Sequence, residues 1–190
     1  MASKGPMVIG TDGSDHVHRQ IIATHYSQSV VNKSRLRFAI IMHYLLLGLM
    51  LAKLADDILD RFDIFILELQ ELYIPKPLVW EWIWSFAALS NLIATKSMRK
   101  NNFTMIKIYL FIIVFTAILP LVYALGYFFS DFWTFLETRD LSKLTHVWNK
   151  YPLAILWYIF IVVALQIHLA EVGFGYNLLK TWSAKRVKNQ

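Results

Sequence analysis

Along the 190 residues, polar and apolar positions separate into blocks instead of alternating. Four stretches stay mostly apolar for about 18 residues or more, the length a helix needs to cross a hydrocarbon core of about 30 Å. They are residues 38–55, 78–95, 108–129 and 151–170. Each is interrupted: His43 and Lys53 fall in the first, Glu81 and Asn91 in the second, Pro120 in the third, Gln166 and His168 in the fourth. The pattern predicts an all-α membrane protein with four transmembrane helices. Its parts are an N-terminal segment over 1–37, a four-span bundle over 38–170 and a basic tail over 171–190.

Between spans one and two, Ile58, Leu59, Phe62, Phe65, Ile66, Leu69, Leu72 and Tyr73 recur at helical spacing, with acidic residues largely on the other side. That spacing predicts an amphipathic lumenal helix running on from span one and stopped by Pro75 and Pro77, which have no N–H to donate. Among the first twenty residues the longest apolar run is Met7 to Ile9, too short for the core of a cleavable signal peptide, so the N-terminus is expected to be retained.

Charge orients the spans, because basic residues are retained on the cytosolic side. The N-terminal segment, the link between spans two and three and the tail together carry 13 Lys and Arg against Asp12, Asp15 and Glu171. The other two links, counted with Lys53 at the lumenal end of span one, hold six basic residues beside nine acidic ones. Both termini are therefore expected in the cytosol. Trp80, Trp82, Trp84, Trp133, Trp148 and Tyr151 fall near the opposite ends of the spans, where amphipathic rings favour the headgroup layer. The sequons at Asn32 and Asn102 lie on the cytosolic side in this topology and should stay unmodified.

Composition adds class and exclusions. The chain is 57% hydrophobic with no cysteine, which removes disulfides, thiolate metal sites and cysteine nucleophiles together. The net charge of +6 reads as the orientation signal and attraction to anionic membrane lipids, with no nucleic-acid motif beside it. No nucleophile elbow, phosphate loop or paired carboxylates are found, so the chain reads as a non-enzyme without cofactors.

Inside the spans, Glu81 and Lys53 lie close enough to an end to snorkel. His43, Asn91, Gln166 and His168 are read as intramembrane polar packing residues that hydrogen-bond between helices. No single span places two histidines on a common face, so no metal site is expected. Near the N-terminus, GTDGSDHVHR carries Asp12, Asp15, His16 and His18 within seven positions, a metal-like cluster with no second segment to close it. Its plainer reading is a turn at residues 11–13 and a helix capped by Ser14 or Asp15, with Asp12, Asp15, His18 and Arg19 offered to a cytosolic partner.

The segment MASKGPMVIGTDGSDHVHR, the run Lys100-Asn101-Asn102, Pro120-Leu121 with Tyr123, and Gln166-x-His168 followed by Tyr176, Leu179 and Trp182 resemble the Jagunal family over nearly the whole chain. The resemblance implies a four-span protein of the endoplasmic reticulum, with both termini cytosolic, needed for organising that membrane and for vesicle-mediated transport and exocytosis in the early secretory pathway. An adaptor or organising role follows, the alternative from the intramembrane polar residues being a small transporter or channel subunit. Some family members end in a dilysine signal for the COPI-type vesicle coat. This tail has Lys188 three from the end but Arg186 five from it, and a guanidinium does not replace an ammonium freely.

Overall fold

The computed structural model describes residues 14–187. Helix α1, Ser14–Asp60, is continuous for 47 residues, about 70 Å at 1.5 Å per residue. It therefore joins the N-terminal segment to span one without a boundary at residue 37. Helix α8, Leu153–Val187, likewise runs 35 residues and passes through the expected end of span four at residue 170. The two helices lie antiparallel, since Ser29 meets Trp182, His43 meets Glu171 and Lys53 meets the ring of Trp157.

Three helical segments of the described chain are long and apolar enough to cross a membrane: Arg19–Asp60, Phe103–Tyr127 and Leu153–Ser183. The middle one is built from α5 (Phe103–Ile113), a π-helical turn (Val114–Ile118) and α6 (Leu119–Tyr127). Proline explains the turn. Pro120 has no N–H to return to the preceding turn, and just before it the Leu119 N–H reaches back to Val114 O in the wider π pattern.

The segment expected to form span two is divided. Helices α3 (Val79–Ala87) and α4 (Ser90–Lys100) meet at Ala88 and Leu89. There the Leu89, Asn91 and Leu92 N–H groups bond three residues back instead of four. Helix α4 packs along α5 and α3 along α6, so the pair accompanies the neighbouring span over its length. The α4–α5 turn is made by two asparagines. Asn101 takes the left-handed conformation that ends α4, and the Asn102 side chain caps α5 by accepting from the Thr104 and Met105 N–H groups.

The expected amphipathic helix between spans one and two does not form as a unit. Helix α1 stops at Asp60, Asp63 turns the chain with φ 54°, and only α2, Leu67–Gln70, is helical before Pro75. Aspartate favours such breaks by tolerating the left-handed region. Phe62 and Phe65 stay exposed, so the apolar face that the spacing suggested has no protein surface to pack on.

At this acidic end, α7 (Phe129–Thr138) leads to a two-residue β-pair, β1 (Val147–Trp148) with β2 (Tyr151–Pro152), joined through Asn149 and Lys150, both at positive φ. The Trp148 indole and the Asn149 amide both donate to Leu72 O, tying the two loops together.

The core between the helices is aromatic and tight. Trp80 meets Trp157 edge to face at 4.8 Å and Trp84 meets Phe160 at 5.1 Å. Gly175 lets α8 approach α5, since a Cβ there would lie 2.7 Å from Leu110 Cδ2.

Candidate functional site in the helix bundle

Helices α1, α3, α4, α5 and α8 all contribute to one buried polar node. His43 from α1, Asn91 from α4, and His168 with Glu171 from α8 are each 0% exposed. His168 and Glu171 share a face because they are three positions apart on a helix. His168 Nδ1 lies 2.9 Å from Glu171 Oε2, and His43 Nδ1 lies 3.2 Å from Glu171 Oε1, so one carboxylate bridges two imidazoles. The Asn91 Nδ2 atom is 3.0 Å from His43 Nδ1, and the buried Tyr109 hydroxyl of α5 is within electrostatic reach of Glu171.

One contact assigns a proton. The Trp84 indole N–H donates to His168 Nε2 over 2.9 Å. An indole only donates, so Nε2 must be the bare nitrogen and Nδ1 must carry the proton that goes to Glu171. His43 is less constrained, since its Nδ1 faces a carboxylate acceptor and an amide on the same side while its Nε2 is buried without a partner.

Nitrogen and oxygen atoms of His43, His168 and Glu171 lie within 4.8 Å of one another, close enough to surround a metal ion. For His168 to ligate through Nδ1, however, its proton would move to Nε2, directly facing the Trp84 N–H. Two donors would then oppose each other in a sealed site. The geometry accordingly favours a hydrogen-bonded node over a metal centre.

A second polar pair lies ten residues further along both α1 and α3–α4, about 15 Å away. Lys53 Nζ contacts Glu81 Oε2 at 2.5 Å, Glu81 Oε1 accepts from the Leu78 N–H, and the ammonium sits 5.6 Å from the Trp157 ring centre. Beyond the node on the other side, the Trp182 indole donates to Ser29 Oγ over 3.0 Å and Lys33 bonds to Asn101.

Outside the spans, Asp131 of α7 organises the last loop. It accepts from the Thr145 and His146 N–H groups and lies 2.7 Å from the His146 ring. Burial alone would raise its carboxyl, but these hydrogen bonds outweigh burial and hold it below the usual aspartate value.

A family model described as "Jagunal, ER re-organisation during oogenesis" matches residues 1–186. The chain belongs to the Jagunal family. It is 43% identical to the protein jagunal of Drosophila melanogaster over 97% of this chain and 96% of that one, with the same figures for Drosophila pseudoobscura. To protein jagunal homolog 1 of Homo sapiens it is 26% identical over 96% of this chain and 94% of the relative.

In this Jagunal protein the structure brings together three of the four polar residues expected inside the membrane. Gln166 is the exception, because it lies about 200° around α8 from His168 and is exposed on the outer face. Glu171 enters the site instead. Trp84, expected at the membrane interface, is wholly buried in the node, and Glu81, expected to snorkel, is 1% exposed and ion-paired. The expectation that no metal-like histidine set exists looked only within single spans, whereas His43 and His168 meet across two helices.

Of the N-terminal contact residues, Asp12 lies outside the described residues. Asp15, His18 and Arg19 fall in the first turns of α1, where Arg19 is exposed. Arg186 is in the last turn of α8, and Lys188 lies outside the described residues.

Proposed function

We propose that this chain is a multi-pass protein of the endoplasmic reticulum membrane, both termini cytosolic, that acts as an adaptor or organising factor in vesicle-mediated transport and exocytosis. The observation that carries the reading is the length of α1. A bilayer core takes about 20 of its 47 residues, and with the crossing at 38–55 residues 14–37, about 36 Å of helix, project from the basic end, with Val17, Ile22 and Tyr26 exposed along it. A polar-apolar rod held firmly in the membrane and reaching away from it suits a protein that meets partners. In this reading α3 and α4 together make the fourth crossing, supported by their course beside α5 and α6.

The transporter or channel alternative rests on the buried node. Its members engage one another across the helix interfaces, which supports a packing role. The basic tail with Arg186 and Lys188 is proposed to offer a COPI-type coat contact.

The test is replacement in a secretory cell depleted of its own Jagunal protein. This chain should restore the distribution of the endoplasmic reticulum and of secreted cargo, and Asp12→Ala with Asp15→Ala should insert normally yet restore neither. A correctly inserted chain that leaves both defects unchanged would sink the reading.

A further inference from the structure

An apolar cavity of about 350 Å³ opens between α1 and α8 at the acidic end. Leu49 and Met50 of α1 and Leu156 and Phe160 of α8 line it, with Ile74, Pro75 and Trp148 contributed by the loops. Leu49 is 65% exposed on the outer surface of α1, so the cavity is continuous with the face that meets lipid tails. The cationic wall residue, Lys53, is already neutralised by Glu81. The interior thus offers nothing to a polar ligand and suits a hydrocarbon chain.

Its loop end is different. Leu72 O accepts from Trp148 and Asn149, which pins the loop before Pro75 against the β-turn. Lys76 follows directly on Pro75, and Lys150 stands two positions after Trp148, held at φ 66° by that turn. Both are exposed, and neither has an ion-pair partner among the described residues. Two exposed lysines, each one or two positions in sequence from a residue of the slot's lining, complement a phosphate joined to an acyl chain.

We propose that this cavity is a phospholipid site: an acyl chain lies between α1 and α8, and its anionic headgroup is held between Lys76 and Lys150. A cavity of this volume takes about a dozen methylenes, one side of a glycerophospholipid, the second chain remaining in the bilayer. The inference rests on the membrane-crossing reading of α1 and α8.

The test uses full-length protein extracted from membranes and washed in mild detergent, then titrated by native mass spectrometry with phosphatidylglycerol, with diacylglycerol of the same chains and with cholesterol. One phosphatidylglycerol should be retained per chain. At about fivefold per lysine near a membrane surface, Lys76→Ala with Lys150→Ala should weaken it roughly 25-fold and leave diacylglycerol unchanged. Leu156→Trp, which fills the slot, should weaken both acyl lipids. Equal loss of both lipids in the lysine variant, no effect in either variant, or preferential retention of cholesterol would each overturn the site. Recovery of the chain in the aqueous fraction without detergent would instead overturn the membrane reading.

Discussion

Removing one partner of the Lys53–Glu81 pair separates the value of a buried contact from the cost of a stranded charge. Lys53→Met keeps the length and the packing on Trp157 but leaves the Glu81 carboxylate 1% exposed, with Leu78 N–H as its remaining donor. An uncompensated buried charge costs about 3–5 kcal/mol. Glu81→Gln strands less, because the Lys53 side chain is 18% exposed and its ammonium can reach toward the headgroups. Its cost should be about 1–2 kcal/mol. The double variant has no charge left to strand and should lie within about 1 kcal/mol of Glu81→Gln, giving a coupling of at least about 2 kcal/mol. Thermal unfolding in mild detergent, followed by the fluorescence of the seven tryptophans, reads these differences. At about 2–4 °C per kcal/mol for a chain of this size, Lys53→Met should lower the midpoint by about 6–20 °C and the double variant should recover most of it. Additive losses, or Lys53→Met no worse than Glu81→Gln, would show that Glu81 is not a buried charge held by Lys53.

Trp84→Phe should cost about 1–3 kcal/mol, because His168 Nε2 is left as a buried acceptor, and nitrogen NMR of the imidazole should report loss of the fixed Nδ1–H tautomer. The Asp131 loop should loosen with acid. Its carboxyl lies below the ordinary aspartate value of about 3.8 in the folded chain, so the stabilisation is fully present above that pH and disappears as pH falls through the lower folded value. Amide exchange at Thr145 and His146, compared with Asp131→Asn at each pH, should converge with that variant below about pH 3 and diverge above about pH 5. Since the chain has no cysteine, single cysteines placed at residues 64, 101 and 140 give a background-free topology assay. An impermeant thiol reagent applied to intact microsomes should label position 101 and spare the other two, and label at 64 or 140 would reverse the orientation.

How far the fold was legible depended on whether the cause was local. Hydropathy located α1, the α5–α6 span and α8 because crossing a bilayer demands a continuous apolar length. It placed their ends poorly, since a helix does not stop where its apolar window does: α8 continues through residue 187. An apolar window ending at residue 170 therefore puts Glu171 in the basic tail, although its spacing of three from His168 marks a shared face. The meeting of His43 with His168 depends on α1 and α8 running antiparallel at one register, which no local pattern contains. The break at Ala88 and Leu89 carries neither glycine nor proline, so nothing punctuated it. Between Asp60 and Pro75 the periodicity was present, but spacing alone cannot supply a surface for an apolar face to pack against.

If α1 crosses the bilayer as proposed, the part of it beyond the membrane also has a mechanical meaning. Its inner stretch is braced against α8 through Ser29 and Trp182. A tether of flexible chain lets two bodies drift together or apart, whereas a helix anchored in this way sets a minimum separation. In that arrangement whatever engages its first turns is held up to about 36 Å from the bilayer core, and changing that distance would require adding or removing helical turns, each about 5.4 Å. The proposed topology thus makes α1 a ruler as well as an anchor, and an insertion of whole turns before Ser29 should lengthen the gap without altering the bundle.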